Sequence, residues 1–425
     1  MARIVASLGK GEGLRIFGPA SIRVARGLVG ILGAELGEDE DFYVEEFRSY
    51  YVKALEDCEL EISISEPGRI EAAHGGDEPY DEWVSLADRI IGSCKTPCRV
   101  VVMGPVESGK TSFTALLANR SLVRGIPTGV IDSDVGQADI GPPGFVSLAL
   151  PDSWVTWLRR LEPNYMRFVG SIEPSHAAGK IISAVSVLAS RAEGEGSATA
   201  FIDTDGWVSG VNAIEYKLDL ARSIDADWVV VLGDKSLYYT IKRALPANVA
   251  YAEGPRVRLI RSTEDRKNLR SANYKRFLEG IVREISLEKT PSNSVCLGQE
   301  EAPGTIREKV ESVLGRVLRV SVYPGGLCVF LESRNKATGQ SIQALQKVFQ
   351  GLEVLVVSLD TAKGTLCSLE GLGGKEYPAM LVDLDPGSMI GTFKTRYTGE
   401  VKRVTFGRIR LGNDYREVGR GRIFL

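Results

Sequence analysis

The sequence is poor in cysteine and histidine and has no long apolar run. Six cysteines in 425 residues are too few for a disulfide framework. Cys94 and Cys98 stand four apart, with no second cysteine or histidine pair at zinc spacing. They read as buried thiols beside a core strand rather than as metal ligands. No apolar stretch approaches the ~20 residues that span a membrane. The first eighteen residues, MARIVASLGKGEGLRIFG, lack the apolar core of a signal peptide, so a cytoplasmic protein is expected. No internal repeat is present. What remains is ordinary: 44% hydrophobic and 25% charged residues, 46 Gly and 18 Pro. That composition excludes collagen-like and disordered chains and suits two or three globular domains.

The net charge of −3 argues against a bulk nucleic-acid binder. Its distribution is uneven. Residues 35–46 hold seven acids and no base. Residues 256–276 hold eight bases and two acids, and residues 394–422 nine bases and three acids. Each basic stretch carries +6, which leaves −15 on the rest of the chain. Two local basic surfaces on an acidic body could face a polyanion; solvated charged faces are the plainer alternative. The second stretch interleaves Phe393, Tyr397, Phe406 and Tyr415 with its bases.

Three regions follow one another. Residues 1–80 read as β, with strict alternation across Glu59–Ser65 broken at Pro67-Gly68. An amphipathic segment follows around Trp83–Ile91. Residues 81–289 alternate short apolar runs (CRVVVMG, TGVID, TAFID, DWVVVLGD) with helix-like stretches at Lys110–Arg124, Ala177–Arg191, Gly210–Ser223 and Leu269–Ile285. That is the pattern of a parallel sheet covered by helices. Residues 290–425 return to strands. VLRVSVYPGGLCVFLE and VLVVSLDTAKGTLCSLEG each read as a hairpin, with a helix at Gln340–Phe349 between them. The expected fold is α/β: a central P-loop sheet flanked by N- and C-terminal β-rich domains.

Gly104-Pro105-Val106-Glu107-Ser108-Gly109-Lys110-Thr111, followed by Ser112, fits G-x-x-x-x-G-K-[ST] and lies between a strand and a helix. Gly104 and Gly109 permit the backbone angles that converge N–H groups on phosphate oxygens. Lys110 places a charge on the β/γ-phosphates, and the Thr111 hydroxyl can ligate Mg²⁺. Such a loop names a nucleotide but no reaction.

The next strand ends in Asp132-Ser133-Asp134-Val135-Gly136-Gln137. Two carboxylates two apart on an extended strand point the same way. One, assigned as Asp132, can serve the metal with Thr111, while the other orients or deprotonates a hydroxyl. Asp134 is favoured as the base, but spacing does not separate the two. Gln137 could position the nucleophile or the γ-phosphate. A turn or cap role is the bland alternative for either aspartate.

With two further motifs, these segments resemble the polynucleotide 5′-hydroxyl kinases. That family includes RNA kinases of pre-mRNA 3′-end cleavage, tRNA splicing and rRNA processing, and archaeal relatives. Asp203-Thr204-Asp205-Gly206-Trp207 is similar to its N-T-x-G-W motif, with Asp203 in place of Asn. The resemblance implies that Trp207 stacks on an RNA base. Arg261-Ser262-x-x-x-Arg266, continued by Arg270, resembles the family's arginine lid. Gly170-Ser171-Ile172-Glu173-Pro174-Ser175 resembles its clasp, with Ser171 helping to hold the lysine or γ-phosphate. The adjacent His176 reads as structural.

The resemblance implies a kinase moving the γ-phosphate of ATP, GTP or another NTP to the 5′-hydroxyl of RNA or DNA. The implied site joins Lys110, Asp132, Asp134, Arg261 and Arg266 to an RNA-binding set of Trp207, Gln137 and Arg270. Partners would be RNA ends and RNA-processing proteins, with no membrane. A catalytically silent, nucleotide-binding scaffold is the alternative. A GTPase reading guanine through N-K-x-D is disfavoured because no such string occurs.

Overall fold

The computed structural model describes residues 2–73, 78–257 and 261–421. Arg258 and Arg422 of the basic stretches lie outside them. The described residues pack as two compact units. The first comprises residues 1–141, 146–165 and 173–266; the second comprises residues 142–145, 166–172 and 267–425.

The first unit opens with two antiparallel sheets. Four strands run in the order Ala2–Leu8, Cys58–Ile64, Ala20–Arg26, Asp41–Val44. Five run Ala34–Leu36, Val29–Ile31, Ser49–Ala54, Gly13–Phe17, Arg69–Ala73. The alternating segment near residue 60 forms the strand Cys58–Ile64, where Cys58, Leu60, Ile62 and Ile64 point inward. The amphipathic segment forms the helix Tyr80–Ser93, which buries Trp83, Leu86, Ala87, Ile90 and Ile91.

The P-loop strand Cys98–Met103 sits mid-sheet, parallel to Thr199–Asp203 on one side and Trp228–Leu232 on the other. Thr128–Asp132 lies beyond Thr199–Asp203, and Asn248–Ala252 beyond Trp228–Leu232. These strands are nearly all apolar, as a sheet buried on both faces requires. The helices Lys110–Val123, Ala178–Gly194 and Val211–Ser223 fall where periodicity places them. A further helix, Lys235–Ala244, is capped by the Asp234 carboxylate on the Leu237 N–H at 2.9 Å. Among the described residues no helix is long and apolar enough to cross a membrane.

The second unit holds a six-stranded antiparallel sheet and a three-stranded sheet, Arg319–Tyr323, Gly326–Leu331, Glu353–Ser358, with the helices Gly304–Leu314 and Gly339–Val348. Arg319–Tyr323 and Gly326–Leu331 make the first expected hairpin. The second does not form. Glu353–Ser358 pairs in parallel with Gly326–Leu331, a short helix intervenes, and Thr365–Glu370 is a central strand of the other sheet. Thr365–Glu370 is almost wholly buried and needs two neighbours, which a two-stranded hairpin cannot supply. The expected helix at Leu269–Ile285 is also corrected, to a helix at Thr263–Leu278 and a strand at Ile281–Ser286. Ser262 and Asp265 cap its start reciprocally. Gly280 marks the break, where a Cβ would meet the Thr395 carbonyl oxygen at 2.3 Å.

The expected thiols at Cys94 and Cys98 are instead a disulfide, and a second joins Cys296 to Cys328. The four-residue spacing takes Cys94 off the end of one helix and Cys98 into the next strand, with Cα atoms 5.5 Å apart. That is within bridging reach. Cys58 and Cys367 stay free and buried.

Candidate active site

The phosphate loop leaves the carboxyl end of Cys98–Met103 and opens the helix Lys110–Val123. Gly109 takes φ +94°, and a Cβ there would lie 2.8 Å from the Trp83 ring and 2.9 Å from Pro255. A Cβ on Gly104 would lie 2.5 Å from the Leu232 carbonyl oxygen. Both glycines are therefore required by space as well as by conformation. Glu107 takes φ +62° without glycine's freedom. Its carboxylate accepts from Arg266 Nη2 at 2.7 Å and from the Arg261 N–H at 3.4 Å. Val106 abuts the other loop: a Cβ on Gly206 would lie 2.6 Å from its side chain. The Ser108 hydroxyl is buried with no hydrogen-bond partner.

Lys110 Nζ donates to the Pro105 carbonyl at 2.8 Å. Burial pushes its pKa down, against the pull of Asp203 and Asp134. The Thr111 hydroxyl donates to Asp203 Oδ2 at 2.7 Å, while Asp203 Oδ1 is buried with no partner. Burial raises Asp203 to about 7, opposed by Lys110 and the Thr111 hydrogen bond. The parallel register sets Asp203 beside Asp132 on one strand and Val102 on the other.

The two aspartates of the D-x-D segment do different things. Asp132 accepts backbone N–H groups of Asp134 at 3.1 Å, Asp139 at 2.6 Å and Ile140 at 3.0 Å, and is not among the cavity-lining residues. Burial drives its pKa well up. Asp134 accepts the N–H groups of Gly136 at 3.0 Å and Gln137 at 2.8 Å through Oδ1. It lines the cavity with Gln137. Burial, then Asp205, raises its pKa.

Asp205 holds the tryptophan loop. Its Oδ1 accepts the Trp207 N–H at 2.9 Å, and its Oδ2 accepts the Tyr216 hydroxyl at 2.9 Å. Lys217 Nζ is wholly buried, 3.0 Å from Asp205 Oδ2, and donates to the Asp205 carbonyl at 2.9 Å. The Trp207 ring lies nearly parallel to Tyr216, with centroids 5.9 Å apart.

These loops enclose a cavity of about 580 Å³. The structure brings Lys110, Thr111, Ser112, Asp134, Gln137, Trp207, Arg261 and Arg266 to its walls. It adds residues that sequence reasoning missed: Tyr51, Tyr80, Trp83 and Pro255, and the paired Arg15 and Glu78. Ser171 and Arg270 belong to the second unit, where Arg270 donates to Glu417 at 2.7 Å. His176 is exposed and 2.7 Å from Glu173. Among the described residues no group of three His, Cys, Asp or Glu could hold a metal alone. Mg²⁺ fits differently: a threonine hydroxyl backed by a buried carboxylate with an unused oxygen suits an ion that takes its other ligands from phosphate and water. Lys217 had a sequence signal, since it stands on the apolar stripe of its helix with Ala213, Leu220 and Ala221.

Residues 104–280 match the family model described as mRNA cleavage and polyadenylation factor CLP1 P-loop. The chain is 33% identical to a polyribonucleotide 5′-hydroxyl-kinase of Pyrococcus horikoshii, over 84% of this chain and 97% of that one. It is 28% identical to its counterpart in Pyrococcus furiosus, over 81% and 95%. A solved structure of Clp1p with a Pcf11p fragment shares the fold, with a TM-score of 0.63 at 14% identity, over 96% of this chain and 98% of that one.

Proposed function

The chain belongs to the polyribonucleotide 5′-hydroxyl-kinase family, and we propose that this cavity passes the γ-phosphate of a nucleoside triphosphate to the 5′-hydroxyl end of RNA. The protein is an RNA 5′-hydroxyl kinase that binds nucleotide through its P-loop. One observation carries the site assignment: phosphate loop, acidic segment, tryptophan loop and two lid arginines line a single cavity.

The amides from Gly104 to Thr111, with Lys110, hold the triphosphate. Trp83, Tyr80 and Pro255 give its base an apolar wall, and ATP is the nucleotide proposed, with GTP as the comparison. Thr111 would hold Mg²⁺, with Asp203 behind it, and the ion would neutralise charge on the β/γ-phosphates. Asp132 fixes the loop that carries Asp134 and Gln137. Asp134 accepts the proton of the 5′-hydroxyl as its oxygen bonds to the γ-phosphorus and the bond to the β-bridging oxygen breaks. Burial makes Asp134 a stronger base than a free carboxylate. Arg261 and Arg266 meet the charge spread over the migrating phosphoryl group. Trp207 stacks the terminal base. Ser171 as clasp and Arg270 as an RNA contact belong to the same proposal, as do RNA-processing partners and a cytoplasmic setting.

The test is γ-labelled ATP with Mg²⁺ and 5′-hydroxyl RNA and DNA oligonucleotides, beside Lys110→Ala. Label on the 5′ end with the wild type alone is expected. Tight ATP binding without transfer would establish the scaffold reading instead.

A further inference from the structure

The phosphate loop carries a side chain that phosphate binding does not need. Glu107 stands at φ +62°, a conformation that glycine adopts freely and glutamate only at a cost. It also brings a carboxylate to the loop that receives a triphosphate, where like charges repel. Glycine would avoid both penalties. What the carboxylate holds accounts for its presence.

Its partners are both in the lid. One oxygen, Oε1, accepts Arg266 Nη2 at 2.7 Å and, more weakly, the Arg261 N–H at 3.4 Å. These two residues bracket the start of the helix Thr263–Leu278, whose first turn is closed by Ser262 and Asp265. A single carboxylate oxygen thus clasps both sides of the capping turn, at the positive end of the helix dipole. The Glu107 and Arg266 side chains are 25% and 35% exposed, so water screens the pair only in part. Glu107 uses one N–H of the Arg266 fork and leaves the others for phosphoryl oxygens.

The second anchor has the same signature. Phe47, in the turn between Asp41–Val44 and Ser49–Ala54, takes φ +61°, and its carbonyl accepts Arg261 Nη2 at 3.2 Å. For a bulky residue that conformation is an outlier. Both strained residues line the cavity, as do both arginines, and all four belong to the first unit. Backbone strain persists only where the surroundings impose it, and here it falls on the two residues that hold the lid. Burial, then Arg48, lowers the Arg261 pKa to about 10, while Asp139 and Glu107 pull it back up.

We propose that Glu107 is a positioning residue: with the Phe47 carbonyl as second anchor, it seats Arg261 and Arg266 over the phosphate loop before the acceptor arrives, so that loop and lid meet the migrating phosphoryl group as one preassembled surface. A guanidinium already in place needs no further ordering at the moment of transfer. The inference rests on the kinase reading and on its assignment of the two arginines to the phosphoryl group.

The experiment uses the full chain with γ-labelled ATP, Mg²⁺ and a 5′-hydroxyl RNA decamer. Glu107→Gln lowers kcat about three- to thirtyfold, between the worth of an exposed ion pair and that of a buried charge-assisted hydrogen bond. Its ATP dissociation constant stays level or falls, because a negative charge beside the triphosphate is gone. Glu107→Asp keeps part of the rate. Glu107→Gly, which removes the carboxylate but suits the backbone at φ +62°, gives the same loss and serves if Glu107→Gln does not fold. The decisive arm is Arg266→Met: with that guanidinium absent, adding Glu107→Gln lowers kcat no further. Independent losses in the double variant overturn the proposal. So does a Glu107→Gln enzyme whose lost rate is matched by lost ATP affinity, which would make Glu107 a support of the loop alone. Hydrogen exchange in nucleotide-free protein reads the seat without catalysis: amides 263–270 exchange faster in Glu107→Gln, while those of Lys110–Val123 do not. If the wild type labels no strand, the kinase reading fails by itself; unchanged exchange at 263–270 then overturns the seat, and faster exchange sustains it.

Discussion

Lys217→Met replaces a charged side chain with an apolar one of similar length at a fully buried position. Lys217 Nζ is held between Asp205 Oδ2 at 3.0 Å, the Asp205 carbonyl at 2.9 Å and the Tyr216 ring at 4.8 Å. Methionine keeps the volume, so no large cavity forms and the cost is electrostatic. Asp205 would remain buried with only the Trp207 N–H and Tyr216 hydroxyl as donors. Breaking a buried pair from one side costs about 3–5 kcal/mol. For a unit of this size that lowers the melting temperature by roughly 6–20 °C. Chemical denaturation of the full chain measures it, with Asp205→Asn/Lys217→Met as the second arm, which recovers at least half of the loss. A loss under about 1 kcal/mol in the single variant would refute the argument, because it would mean that Asp205 is not charged or not dry. Surviving folded enzyme should show a raised KM for RNA, since the Trp207 backbone loses its fixed acceptor, and a KM for ATP close to wild type.

Trp207→Ala removes a stacking face worth ~1–3 kcal/mol, so KM for RNA should rise about five- to 150-fold with ATP affinity retained; initial rates over an RNA titration check it. In chelated, nucleotide-free protein Asp203 has a native pKa of about 7 against an unfolded value near 3.8. The native state therefore keeps a proton that the unfolded chain has released, and stability falls as pH rises from ~4 to ~7, by at most about 4 kcal/mol. Asp203→Asn should flatten that slope; an unchanged slope in urea titrations at pH 5 and 8 would count against it. The Cys296–Cys328 bridge closes a 32-residue separation, so reduction should lower stability by about 4 kcal/mol on the chain-entropy account, read as a shift in the thermal transition with and without reductant.

The sequence made the central sheet legible because its strands are apolar on both faces and its helices other than the encased P-loop helix are amphipathic, two periods that do not mimic each other. Lys110–Val123 and Val211–Ser223 lie within a residue of their expected limits. The second hairpin failed for a physical reason. LDTA between two strands looks like a turn, and only the partners of Thr365–Glu370, distant in sequence, reveal that its neighbours lie elsewhere. The phosphate loop, acidic segment, Trp207 and lid arginines were readable because each is local. Asp203 behind Thr111, Arg48 beside Asp139 and Lys217 under Asp205 depend on pairings 92, 91 and 12 residues apart. Local pattern carries little of that. Only Lys217 had a local clue.

The P-loop helix is encased: every residue from Phe113 to Asn119 is buried. Asn119 donates to the carbonyls of Leu32 at 2.8 Å and Val155 at 2.9 Å, and accepts the Val155 N–H at 2.9 Å. Gly33 packs so closely that a Cβ there would lie 3.0 Å from the Leu116 side chain. The opening sheets are thus a wall of the phosphate cradle and not a detachable attachment to it. A gene fragment beginning after residue 73 would encode the whole nucleotide motif, yet leave the Asn119 amide and one side of its helix bare to water. The motif and the region before it therefore fold as one part.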